Sequence, residues 1–179
     1  MLKHLIAAGA GLALASCGSG APTGNAAAPA ETQAASGGFN ALDACATLPR
    51  EKVAEIAGTK VESATLSRVT PGTAGTAAFS QCSYAFAGGA TLDFFARQSP
   101  VDDNTPDAIQ RTKQGMIDNL GAKPVDIAGL GTAAFSVEQM HQLHVFWNGN
   151  RYIYFMSMNP PAGRPVTEVE RALAKAVTG

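Results

Sequence analysis

What this chain lacks excludes several classes before any motif is read. Past Ala15 no stretch approaches about 18 consecutive apolar residues, the length a membrane-spanning helix needs. Basic residues such as Lys60, Arg97, Lys123 and Arg164 are scattered, and 13 basic against 14 acidic residues give a net charge of −1. That balance provides neither a nucleic-acid footprint nor a polybasic patch for a membrane surface. No nucleophile elbow, histidine-anchored triad or paired-carboxylate spacing stands out, so no residue is assigned a catalytic role. Whether the chain is an enzyme stays undecided, with a non-catalytic role preferred. No metal site and no cofactor is expected. Cysteine is scarce, with only Cys17, Cys45 and Cys82.

The first of these cysteines sits in an informative place. Lys3 gives a positive start, Leu5 to Ala15 is an uncharged apolar run, and Leu14-Ala15-Ser16-Cys17 follows. Eleven apolar or small residues are too few to remain as a helix across a hydrocarbon core of about 30 Å, so residues 1–16 read as an export signal. The Leu-Ala-Ser-Cys sequence resembles the lipobox of bacterial lipoproteins, in which the cysteine receives a diacylglyceryl thioether and becomes the mature N-terminus. The resemblance implies lipidation of Cys17, palmitate-type acyl chains, and a protein held at the cell envelope with the bilayer as a partner. Gly18 stands where that family places an aspartate for inner-membrane retention, which implies the outer membrane, facing the periplasm, in a host with two membranes. Cleavage after Ala15, releasing a soluble protein, is the alternative; a lone thiol at Cys17 in an oxidising compartment argues against it.

Residues 17–38 are then almost entirely Ala, Gly, Ser, Thr and Pro. Such a segment buries too little apolar surface to offset its ordering entropy, so it reads as a disordered tether, with an r.m.s. span on the order of 25 Å. Residues 39–179 remain, a length suited to one domain with its own core. Two cysteines, Cys45 and Cys82, are left for this exported domain. Pairing is the expected outcome, and a two-cysteine metal site or reactive thiols are the alternatives; closely spaced additional ligands are missing beside both.

The domain reads as α+β. Pro49 to Ala57 is a short helix stopped by Gly58, and Val61 to Val69 is a strand. Ala77 to Ala87 and Ala90 to Gln98 are strands around Gly88-Gly89, taken as a two-residue hairpin. Thr105-Pro106-Asp107 opens a second helix, with Ile109, Met116, Ile117 and Leu120 on one face and Gly121 as its stop. Strands follow at Val125 to Ile127, Ala133 to Val137, Gln142 to Trp147 and Arg151 to Met158, the last two joined at Asn148-Gly149. Thr167 and Glu170 suggest a capping box for a final helix. Two similar helix-plus-strands units therefore build one antiparallel sheet with helices packed on it.

Asp43-Ala44-Cys45, Ser80-Gln81-Cys82-Ser83-Tyr84 and Gly129-Leu130-Gly131-Thr132-Ala133-Ala134 are together similar to a family of small two-cysteine bacterial lipoproteins of uncharacterised function. The resemblance implies a PsbP-like α/β sandwich and a paired Cys45 and Cys82. It carries no catalytic residue.

Three constellations point to bland structural roles. Val125 to Ala134 nominally matches a dinucleotide fingerprint, but strand-like Phe135-Ser136-Val137 follows where a helix is needed, so a tight connection between strands is expected. His141 and His144 enter a strand, where a spacing of three puts them on opposite faces; exposed or half-buried histidines are expected there. Asp102, Asp103, Asn104 and Asp107 lack the ligand spacing of a calcium loop and read as a solvated loop feeding a helix cap. The last hairpin is apolar on both faces. With a two-residue turn, Leu143, Val145 and Trp147 share one face with Tyr152, Tyr154, Met156 and Met158, and Phe146, Ile153 and Phe155 lie on the other. Trp147, Tyr152 and Tyr154 are accordingly the candidate binding surface, for an envelope protein, an envelope polymer or an apolar ligand. Envelope hydrolase and purely structural lipoprotein are the alternative functions.

Overall fold

A computed structural model describes residues 38–147, 150–160 and 163–178. The expected export signal, Cys17, the tether as far as residue 37, and the Asn148-Gly149 pair lie outside the described residues.

The elements run α1 (Ala44–Thr47), α2 (Arg50–Ala57), β1 (Val61–Thr70), β2 (Ala78–Phe86), β3 (Thr91–Gln98), α3 (Pro106–Leu120), β4 (Val125–Asp126), β5 (Ala133–Val137), β6 (Gln142–Trp147), β7 (Arg151–Met158) and α4 (Val166–Thr178). A 3₁₀ turn, Glu138–Met140, links β5 to β6. One seven-stranded sheet has the order β1-β2-β3-β7-β6-β5-β4, every neighbouring pair antiparallel. The α+β architecture is as the sequence suggests: a β1–β2–β3 meander behind α1 and α2, and a β4–β5–β6–β7 meander behind α3. The two join where β3 pairs with β7.

Strand alternation divides the side chains between two faces. On the first face Cys82, Tyr84, Phe94, Leu143, Val145, Ile153 and Phe155 pack with Ala44 of α1, Val53 of α2 and Leu173 of α4 in the main core. On the second face Phe135, Val137 and Phe146 pack with Ile109 of α3 in a smaller core. Helices therefore cover both faces, and among the described residues α3 is the only helix on the second.

Local chemistry explains the helix boundaries. The Thr105 hydroxyl accepts from the Ala108 amide at 3.2 Å, Pro106 occupies the first helical position, and Gly121 closes α3 in the left-handed region at φ 61°. Its apolar stripe is only partly used. Ile109 is buried, whereas Ile117 and Leu120 remain exposed, because the small core on this face reaches α3 through Ile109 and Met116 alone. Pro49 serves as the residue before α2 and not as its first helical residue. α1, unforeseen from its four residues, is capped by Asp43, which accepts from the Ala46 amide at 2.8 Å.

Cys45 on α1 and Cys82 on β2 form a disulfide with Cα atoms 5.0 Å apart. Around it, Ser80 Oγ accepts from the Ala44 amide at 2.9 Å, and the Tyr84 hydroxyl donates to the Leu48 carbonyl. Three links thus hold the α1 segment to β2, and burial pushes the Tyr84 hydroxyl pKa upward.

Three expectations are corrected. The β2–β3 connection has three residues, since Phe86 pairs with Ala90 through a 2.9 Å backbone bond; Gly88 and Gly89 both take positive φ there. The Thr167/Glu170 capping box does not form. α4 begins at Val166, the Pro165 carbonyl accepts from the Glu168 and Val169 amides, and Glu170 is buried inside the domain. The third concerns the last hairpin, whose residues make up the site.

Candidate functional site

Trp147 pairs with Arg151, so three residues separate β6 from β7. The two-residue turn expected from Asn148-Gly149 would have moved the register by one and exchanged the faces. In the observed register Leu143, Val145 and Trp147 lie with Ile153 and Phe155, and Trp147 is partly buried against the main core. Tyr152 and Tyr154 lie on the second face with Phe146 and His144. The structure therefore separates Trp147 from the two tyrosines it was grouped with.

On the second face, aromatic rings run across five strands. Centroid separations are 5.5 Å from Phe79 to Phe95, 5.2 Å from Phe95 to Tyr154, 5.6 Å from Tyr154 to His144 and 4.5 Å from His144 to Phe135. These distances suit offset aromatic contact. The Phe135 end lies under α3 and is fully buried, while Phe79, Phe95 and Tyr154 are partly exposed. Phe79 and Phe95 were missed in the sequence. The signal was there in the Phe94-Phe95 doublet, because consecutive strand residues must place one ring on each face.

His144 is buried, not half-exposed. Its Nδ1 meets the Tyr152 hydroxyl at 2.7 Å and its Nε2 meets Gln142 Oε1 at 3.3 Å. With the Gln142 oxygen accepting, Nε2 carries the proton and Nδ1 accepts from Tyr152. Desolvation pushes the imidazole pKa down to about 4, and burial pushes the Tyr152 hydroxyl upward, so both stay neutral. A neutral imidazole with both nitrogens engaged is a positioning group for Tyr152 and lacks a free nitrogen for proton transfer. His141, by contrast, stands exposed at the end of the 3₁₀ turn with φ 48°.

Tyr152 borders a groove of about 270 Å³ with Arg97, Asp103, Asn104, Ile109 and Phe146. Arg97 and Asp103 form a two-pronged ion pair, and the Arg97 hydrogen bonds hold the Asp103 carboxyl below its usual range. Asn104 Nδ2 donates to the Trp147 carbonyl at 3.0 Å and the Arg151 carbonyl at 2.7 Å, fastening the loop before α3 to the hairpin. The acidic loop is thus a clamp on the hairpin as well as a lead into the Thr105 cap. A neighbouring groove of about 470 Å³ runs between α3 and β5, with Lys113 paired to Asp126 at its side. Lys113 also stands 5.6 Å from the Phe135 ring centroid.

The glycine-rich segment is a close-packed connection. Gly131 has φ 63°, and a Cβ there would lie 2.3 Å from the Phe146 carbonyl oxygen; the following Thr132 amide donates to that same oxygen at 2.7 Å. Among the described residues no cluster of three or more His, Cys, Asp or Glu is placed to hold a metal ion. No described helix is long and apolar enough to cross a membrane. Compared with known proteins, the chain matches no family model, no curated protein and no solved structure.

Proposed function

We propose that this chain is a lipid-anchored cell-envelope protein whose disulfide-stapled domain works as a non-catalytic binding module. In this reading Cys17 carries the acyl chains, residues 17–38 are the tether, and the domain meets its envelope partner with the sheet face that bears Tyr152 and Tyr154. In a two-membrane host it resides at the outer membrane, facing the periplasm. The Leu-Ala-Ser-Cys sequence supports the anchoring, and the Cys45–Cys82 bridge with its α+β frame supports kinship with the two-cysteine lipoproteins.

The observation that carries the binding role is the partly exposed run of Phe79, Phe95 and Tyr154 on the sheet face that, among the described residues, a single helix covers. Aromatic rings at a rim with hydroxyl and guanidinium groups alongside combine apolar contact area with orienting polar atoms. Trp147 belongs to the other face and is not part of this surface. A photo-crosslinking residue placed at Phe95 or Tyr154 in cells is expected to trap the same envelope component, while one at Trp147 traps none. Equal adducts at all three positions, or none at Phe95 and Tyr154, would refute the assignment.

A further inference from the structure

A second cavity lies away from this surface, on the first face of the sheet. It has a volume of about 220 Å³ and opens between the carboxyl end of α2, the start of β3, the end of β7 and the first turn of α4. Phe86, Leu92, Val166 and Val169 give it apolar walls, and Ser157 joins its lining opposite Leu92 in the β3–β7 register. Ser157 is 8% exposed, and its hydroxyl donates to Glu170 Oε1 at 2.8 Å. Glu170 is 1% exposed, and its other oxygen, Oε2, is buried with no hydrogen-bond partner among the described residues. At the rim, Arg164 Nη1 donates to the Ile56 carbonyl at 2.6 Å, fastening the segment before α4 to α2.

Packing alone gives no reason for this pair, since apolar side chains at positions 157 and 170 would fill the space without desolvating a carboxyl group. Apolar walls around one or two fixed polar atoms are the usual make-up of a small-molecule site. Size narrows the ligand: an apolar cavity of about 150 Å³ takes a benzene ring, so this one fits a ring with a short substituent. Chemistry narrows it again. With Ser157 donating to Glu170 Oε1, the lone pairs of the Ser157 oxygen are what it offers to the cavity, and they suit a ligand that donates. We propose that this cavity binds a small single-ring molecule bearing a hydroxyl group, which donates to Ser157 while Glu170 fixes Ser157 from behind. Burial pushes the Glu170 pKa up to about 8; with that proton on Oε2, Oε1 still accepts from Ser157, and at neutral pH the pair presents no net charge to a neutral donor.

The test is an NMR titration of the full chain with benzyl alcohol and, separately, with toluene. Saturable shifts are expected at Phe86, Leu92 and Val169, with signals of Tyr152 and Tyr154 unmoved and benzyl alcohol bound at least tenfold more tightly. Ser157→Ala is expected to bring the two affinities within about twofold, and Val169→Phe, which adds a ring to the cavity wall, to abolish both. Glu170→Gln keeps an acceptor for Ser157 and is expected to retain the preference. No saturation at these residues, equal affinities in the unaltered chain, or a preference that survives Ser157→Ala overturns the proposal. None of these results depends on the crosslinking outcome at Phe95 and Tyr154, so the two readings fail separately.

Discussion

Gly131 shows how much one added methyl group can matter here. Both Gly129 and Gly131 have positive φ, but a Cβ on Gly129 meets open space while one on Gly131 collides with the Phe146 carbonyl oxygen. Gly129→Ala is therefore expected to cost about 1 kcal/mol, the left-handed backbone penalty alone. Gly131→Ala must also push β6 away, and a loss of about 3 kcal/mol or more is expected. Urea unfolding of the two variants separates these values, and equal losses would mean that the close approach is not a constraint. Residues also set the pH response. Glu170, with a folded pKa of about 8, keeps its proton where the unfolded chain has lost it, so stability falls as pH rises from about 4.5 to 8. His144, with a folded pKa of about 4, is neutral where the unfolded chain is charged, so stability rises from about pH 4 to 6.5. Below pH 6.5 the slopes nearly cancel; above it Glu170 acts alone and removes about 2 kcal/mol by pH 8. Denaturation midpoints across this range should show a plateau and then a decline, and Glu170→Gln should replace the decline with a flat limb.

At the scale of elements, what the sequence disclosed depended on how local the determining interaction is. α3 could be bounded from Thr105, Pro106 and Gly121 because each acts within one turn of itself. The faces of β6 and β7 could not, because register parity depends on the number of residues in the turn, and Asn150, at φ 84°, belongs to that turn and not to the strand. Glu170 was misread for a related reason: a serine-or-threonine and glutamate spacing marks a cap only if the helix starts there, and Pro165 starts it two residues earlier than that spacing assumes. The groove beside Tyr152 was beyond reach because Arg97, Asn104 and Phe146 meet only when separate elements pack. The α1 segment has its own stability prediction. Replacing both Cys45 and Cys82 with alanine opens a cross-link spanning 37 positions and is expected to cost about 3–4 kcal/mol. Tyr84→Phe, which removes one hydrogen bond from the same attachment, is expected to cost about 1 kcal/mol. Chemical denaturation of both variants checks the order, and a larger loss in Tyr84→Phe would reverse the relative weight given to the two links.

For the whole molecule, the anchoring proposal makes a prediction independent of the domain. Cys17→Ala is expected to abolish incorporation of a fatty-acid label and to shift the protein from the membrane pellet to the soluble fraction, with the unfolding curve of the domain unchanged. Retention in the pellet without label would count against acylation as the attachment. The overall architecture was legible because two similar runs of elements announce two meanders, whereas the way they join through β3 and β7 was not, since those strands lie far apart in the chain.

That seam has a temporal consequence. Cys45 on α1 and Cys82 on β2 both precede β3 in the chain, so in the proposed exported protein, emerging amino end first, the bridge can close before β7 has emerged. The middle of the sheet must wait for the last strand, and until then the outer edge of β3 is an unpaired backbone row. The vulnerable interval in the life of this protein is therefore the one between cross-linking and closure, when a covalently secured half still lacks its neighbour.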